Sequence, residues 1–115
     1  MEINTRTENG NYLIWLRGEL DASCSILLDD SIRKGLDRNP LSICIDCTNL
    51  YYISSAGLGV FISHLQDLQD KSVPLVLFAL REPVANVFQV LGLDSLIPIM
   101  PDREHAIRYC RTQFC

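Results

Sequence analysis

The sequence predicts an α/β fold: one domain built on a mixed sheet of four or five strands, an N-terminal hairpin plus parallel strands, packed with about four helices. Three observations lead there. Two alternating segments flank Asn9-Gly10, a dipeptide that tolerates positive φ in a tight turn. Helix-spaced apolar segments then alternate with short apolar runs, an order that calls for right-handed crossovers and a largely parallel sheet. Turn signals punctuate the whole chain without a linker-like stretch or an internal repeat, so residues 1–115 read as a single domain. With 115 residues, 48% hydrophobic and 21% charged, the chain has enough apolar surface for a core and too much for disorder.

The elements follow in order. Ile3, Thr5 and Thr7 alternate before the turn, and Tyr12, Ile14 and Leu16 alternate after it. Asp21 is placed to cap a helix running to about residue 38, with Leu28, Ile32 and Leu36 as its buried stripe and Asn39-Pro40 as its end. Residues 41–48 predict a central strand with Leu41, Ile43 and Ile45 on one face and small residues with Asp46 on the other. A second helix starts after Ser55 and ends near Asp70-Lys71. Its buried side is Leu58, Phe61, Ile62, Leu65 and Leu68 when turned by about 100° per residue. Residues 73–80 are apolar throughout and read as a buried strand. Val84, Val87, Phe88 and Leu91 mark a third helix stopped by Gly92, and residues 96–100 a short strand. Pro101-Asp102 opens a last helix that turns Ala106, Ile107, Cys110 and Phe114 inward.

Charge and composition narrow the function. The 10 basic residues are scattered among 14 acidic ones, for a net charge of −4, which argues against binding a nucleic-acid backbone. No apolar run approaches the roughly 18 residues of a membrane span, and Met-Glu-Ile-Asn lacks the layout of a secretion signal. A soluble, cytoplasmic protein with no membrane partner is therefore expected, and its five cysteines are expected to stay reduced. Cys44 and Cys47, three apart on a strand, point to opposite faces and read as core thiols rather than as a redox or metal pair. His64 lies opposite Ser55 on the second helix and His105 belongs to the last, so neither is poised as a base for Ser55. No catalytic group, cofactor or metal site is predicted. Asp46 reads as an acceptor for loop N–H groups, with a cation or the serine loop as its alternative partners.

In sheets of this class the working crevice lies at the carboxyl ends of the strands, which points to residues 49–59. Two hydroxyls, Ser54 and Ser55, stand where the second helix begins, and either can cap it. Gly57 and Gly59 each cost about 1 kcal/mol relative to Ala in a helix, so a close approach, of the sheet beneath or of a partner above, offsets them. Ser55 borders a smooth stripe of Gly59, Ser63, Gln66 and Asp70 on the helical wheel. Val60 falls outside the apolar arc, and Tyr51 and Tyr52 flank the loop, so an apolar contact patch is expected around the serine.

Gly18-Glu19-Leu20-Asp21, Asp46, the run Ser54-Ser55-Ala56-Gly57-Leu58-Gly59 and Leu91-Gly92-Leu93 together carry a family resemblance over nearly the whole chain. The sequence resembles the sulfate transporter and anti-sigma factor antagonist (STAS) domains, and within them the small stand-alone anti-sigma factor antagonists. The resemblance implies that Ser55 is phosphorylated by a partner serine kinase of histidine-kinase-like fold that doubles as the anti-sigma factor. It implies that the unmodified antagonist binds this kinase and frees the sigma factor, and that a metal-dependent serine phosphatase restores it. Asp21, Ser54, Ser55, Gly57, Gly59, Val60 and Ser63 are then the expected contact surface. Many antagonists carry Asp just before the phosphorylated serine; here Ser54 stands there and competes with Ser55 as acceptor. The family also includes transporter-associated and stress-complex members, so a scaffold or subunit whose serine only caps a helix is the alternative.

Overall fold

The computed structural model describes residues 1–112. Strands β1 (Glu2–Glu8) and β2 (Asn11–Leu20) form the antiparallel hairpin. Asn9 at φ 52° and Gly10 at φ 84° make its turn, the left-handed pair that a two-residue hairpin requires. The remaining strands, β3 (Ser42–Ile53), β4 (Leu75–Phe78) and β5 (Ile99–Met100), join in parallel, in the sheet order β1-β2-β3-β4-β5. The helices are α1 (Ser25–Leu36), α2 (Ser55–Asp70), α3 (Glu82–Val90) and α4 (Arg103–Thr112), with a short 3-10 turn at Leu93–Ser95.

Each parallel strand is added at the same edge of the sheet, so crossovers of one hand lay α1, α2 and α3 on the same face. Their residues Leu28, Ile32, Phe61 and Phe88 pack with Ile14, Ile43, Ile45 and Leu77 in one large core. The opposite face belongs to α4, whose Ala106 and Cys110 pack on Leu13, Cys44, Val76 and Phe78. Burial on both faces explains why β4 reads as an unbroken apolar run. It also separates the two thiols of β3 as expected, Cys47 into the larger core and Cys44 under α4.

Several boundaries and burial assignments differ from expectation. Helix α1 starts at Ser25, because residues 21–24 form a turn in which the Cys24 N–H donates to the Asp21 carbonyl at 3.3 Å. Asp21 therefore closes that turn and does not cap the helix. Leu41 is 58% exposed and lies outside β3, with its side chain beside the Gly10 turn. Strands β4 and β5 are shorter than the apolar runs at 73–80 and 96–100, since only their middle or last residues meet a neighbouring strand. Leu91, expected on the buried side of α3, is exposed. Phe114 lies outside the described residues.

The largest difference is at β3, which continues past residue 48 to Ile53. The pairing with β2 shifts register between Trp15 and Arg17, and again between Gly18 and Glu19. Each shift places an additional residue on β3, as a β-bulge does, so the pairs Thr48-Asn49 and Tyr51-Tyr52 both point outward while Leu50 and Ile53 stay in the core.

Helices α1 and α2 are joined by a polar pair, a buried histidine and a half-buried aspartate. His64 is 5% exposed, and its Nε2 lies 2.7 Å from Asp29 Oδ1. Asp29 also accepts from Arg33 at 2.8 Å. Replacing Asp29 by alanine leaves the buried Nε2–H of His64 without an acceptor. Asp29→Ala is expected to lower the unfolding free energy by about 1–2 kcal/mol, measured by urea titration.

Candidate functional site

The carboxyl end of β3 delivers the chain directly into α2. Ser54, with φ −92° and ψ 171°, is the last extended residue and the N-cap; its Oγ accepts from the Gly57 N–H at 3.2 Å. Its own N–H donates to the Leu20 carbonyl at 2.9 Å, which ties the start of α2 to the end of β2. A Cβ on Gly57 would stand 2.8 Å from Leu20 Cγ and 3.0 Å from the Leu20 carbonyl oxygen. Gly57 is thus required by the sheet beneath and is buried there, not part of the exposed surface on which it was expected.

Ser55 is the first residue of α2 and is exposed, and its hydroxyl makes no hydrogen bond among the described residues. The N–H groups of Ser55 and Ala56 belong to the first helical turn, where no intrahelical acceptor exists. The two candidate hydroxyls therefore differ: that of Ser54 is engaged in the cap, and that of Ser55 projects into solvent beside open donors. Gly59, one turn on, is exposed, and a Cβ there would meet nothing within 4 Å. Ser63 is exposed as well, but its Oγ donates to the Val60 carbonyl at 2.8 Å.

Two neighbours on α2 exchange the roles expected of them. Val60 is half-buried and packs against the large core, whereas Ile62 is 46% exposed and stands on the Ser55–Gly59 side of the helix. The helix is rotated because Gly57 and His64 take core-facing positions. Glycine against Leu20 and histidine against Asp29 carry no apolar signal, so wheel counting missed them. At the tip of α1, Ile26 and Leu27 are exposed; on β3 so are Tyr51 and Tyr52. Arg81, at the head of α3, lies 4.3 Å from the Tyr51 ring and donates through Nε to the Thr48 carbonyl at 3.0 Å. An apolar rim around the Ser55 end of the sheet results, with Ile26, Ile62 and the two tyrosines as its members.

Asp21 sits one residue beyond the Leu20 carbonyl that receives Ser54. Its Oδ1 accepts from Ser23 Oγ at 2.6 Å and from the Ser23 N–H at 2.9 Å. The Ser23 hydroxyl, then the Cys24 thiol, hold its carboxyl below the ordinary range, so it is a fixed negative charge. Asp46 accepts from Thr48 Oγ1 at 2.6 Å and from the Thr48 N–H at 2.9 Å, the local role expected of it. The histidines are engaged elsewhere, His64 with Asp29 and His105 with Asp102. No group of three or more metal-ligating side chains occurs among the described residues, and none of their helices is long and apolar enough to cross a membrane.

Residues 2–106 match the STAS domain family. The chain is 30% identical over 86 residues, 75% of each chain, to an anti-sigma-B factor antagonist of Listeria monocytogenes. Among solved structures it is similar to the anti-sigma factor antagonist SpoIIAA in its unphosphorylated form, with a TM-score of 0.81, 21% identity, and 96% and 97% of the two chains covered. It is similar also to the phosphorylated form of SpoIIAA, the Bacillus cell fate determinant, with a TM-score of 0.72, 20% identity and 94% and 98% coverage.

Proposed function

This chain belongs to the STAS domain family, and we propose that it acts in the cytoplasm as an anti-sigma factor antagonist switched off by phosphorylation of Ser55. The observation that carries this reading is the division of labour at the start of α2, where Ser54 caps the helix and Ser55 stands exposed with a free hydroxyl. In the unmodified state an anti-sigma factor docks across the Ser55–Gly59–Ile62 stripe and the apolar rim, and the sigma factor it held is released. The partner is a serine kinase of histidine-kinase-like fold. It supplies ATP and magnesium and transfers the γ-phosphoryl group to Ser55 Oγ, while a metal-dependent serine phosphatase reverses the modification. The chain itself is substrate and binder, with no catalytic group of its own.

Physical chemistry makes the switch one-sided. A phosphoserine carries about 1.5 to 2 negative charges, and the first turn of a helix offers it N–H donors and the positive end of the dipole. The free domain accommodates it. A partner packed over the same residue has to desolvate that charge without a counter-ion, and about 1.4 kcal/mol is already tenfold in affinity.

The test is incubation with such a kinase and magnesium-ATP, followed by intact mass spectrometry. Wild type and Ser54→Ala are expected to gain one phosphate and Ser55→Ala none. Ser54→Ala also loses about 1 kcal/mol of stability with its cap. A phosphate retained by Ser55→Ala would move the switch to Ser54, and no uptake by any form would leave the scaffold reading in its place.

A further inference from the structure

Under α4, at the end of the sheet opposite Ser55, two thiols far apart in sequence meet. Cys44 Sγ, near the start of β3, lies 3.9 Å from Cys110 Sγ, in the last turns of α4. Both are free and buried. Ser42 Oγ is 3.5 Å from the Cys44 sulfur and donates to Asn11 Oδ1 at 2.7 Å, so the pair stands at the end of a small polar chain inside an otherwise apolar face. We propose that Cys44 and Cys110 form a peroxide-sensitive dithiol whose disulfide clasps α4 to the central strand.

The geometry favours this pair over the other thiols. Cys47 faces the opposite side of the sheet, and the Cys24 sulfur is engaged with the Asp21 turn. Joining Cys44 and Cys110 requires the sulfurs to close by about 2 Å, from 3.9 Å to the ~2.05 Å bond. The sequence hides the pair, since 66 positions separate its members. The contact lets either thiol share its proton with the other, which favours the loss of one proton from the pair and opposes the loss of both. Cys44 has no solvent exposure and Cys110 retains 4%, so Cys110, the thiol nearer solvent, is the nucleophile and Cys44 the resolving thiol.

The chemistry needs only hydrogen peroxide as oxidant. The Cys110 thiolate attacks one peroxide oxygen; the O–O bond breaks, a sulfenic acid forms and hydroxide leaves. Cys44 sulfur then attacks the Cys110 sulfur, so the S–S bond forms as the S–O bond breaks, and the Cys44 proton departs with the oxygen as water. The two sulfurs give up two electrons, which the peroxide takes. The product closes a long loop and should therefore restrict the unfolded chain.

The experiment treats the reduced protein with hydrogen peroxide, quenches with catalase, alkylates remaining thiols under denaturing conditions, and maps tryptic peptides. A Cys115→Ser background removes the thiol at the chain end, and circular dichroism verifies that each variant is folded. The expected result is a loss of about two mass units and a cross-link between the Cys44-bearing and Cys110-bearing peptides. A melting temperature raised by several degrees, returning on reduction, should accompany it. Neither Cys44→Ala nor Cys110→Ala should form the cross-link. The inference is overturned if Cys44 and Cys110 remain fully alkylatable after peroxide, or if the mass loss persists in either variant.

Discussion

Ser55→Asp is expected to weaken binding of the proposed anti-sigma kinase by a hundredfold or more while leaving the thermal melt unchanged or slightly raised. The two halves of this result have separate causes. A carboxylate on the first residue of α2 lies at the positive end of the helix dipole, a placement worth about 0.3–1 kcal/mol at an exposed site, so the free domain loses nothing. In the complex the same charge is covered by a partner, and an unpaired buried charge costs about 3–5 kcal/mol, more than the roughly 2.7 kcal/mol that separates a hundredfold. Ser55→Ala supplies the comparison: it removes the acceptor oxygen but adds no charge, so it should bind as wild type does and stay bound in the presence of ATP. Calorimetric titration of the three forms against one kinase reads the affinities, and circular dichroism reads the melts. Tight binding by Ser55→Asp would sink the switch, and a collapsed melt would show that the serine serves the fold.

How much of this arrangement is written in local sequence can be judged element by element. The hairpin was legible because Asn9-Gly10 admits few other conformations, and α2 because Ser54 and the apolar spacing after it agree on where the helix starts. The far half of β3 was not, since two bulges break its period and place outward residues side by side, which on paper resembles a loop. Asp21 looked like a cap because its residue type suits one, yet its carboxylate is consumed by Ser23 within a turn. Side chains held by long-range partners were invisible in the same way: His64 by Asp29, Arg81 by Tyr51 and the Thr48 carbonyl, and Cys44 by Cys110. The serine pair shows both sides of the matter. That two hydroxyls open α2 is plain in the sequence, but which one caps depends on the Leu20 carbonyl that fixes Ser54 in an extended conformation.

The two glycines of α2 should respond in opposite directions to substitution. At Gly57 the sheet leaves no room: a Cβ meets Leu20 Cγ at 2.8 Å and its carbonyl oxygen at 3.0 Å, and that carbonyl also holds the Ser54 N–H. Gly57→Val forces the helix start off β2, and overpacking of this kind typically costs about 1–3 kcal/mol. The lost Ser54–Leu20 bond adds to that, and the melting temperature of a 115-residue domain falls by about 4 °C for each 1 kcal/mol. Gly59 has open space where its side chain would be, so Gly59→Ala gains helix propensity, up to about 1 kcal/mol, and should melt higher than wild type. If the smooth stripe is a docking surface, the same Gly59→Ala should bind the kinase less tightly although its fold is firmer. Gly57→Val, in the fraction that remains folded, should keep Ser55 exposed but misdirect it. Guanidinium melts and kinase titrations of both variants separate the two roles. Equal destabilisation at the two positions would contradict the assignment of one glycine to the sheet and the other to the partner.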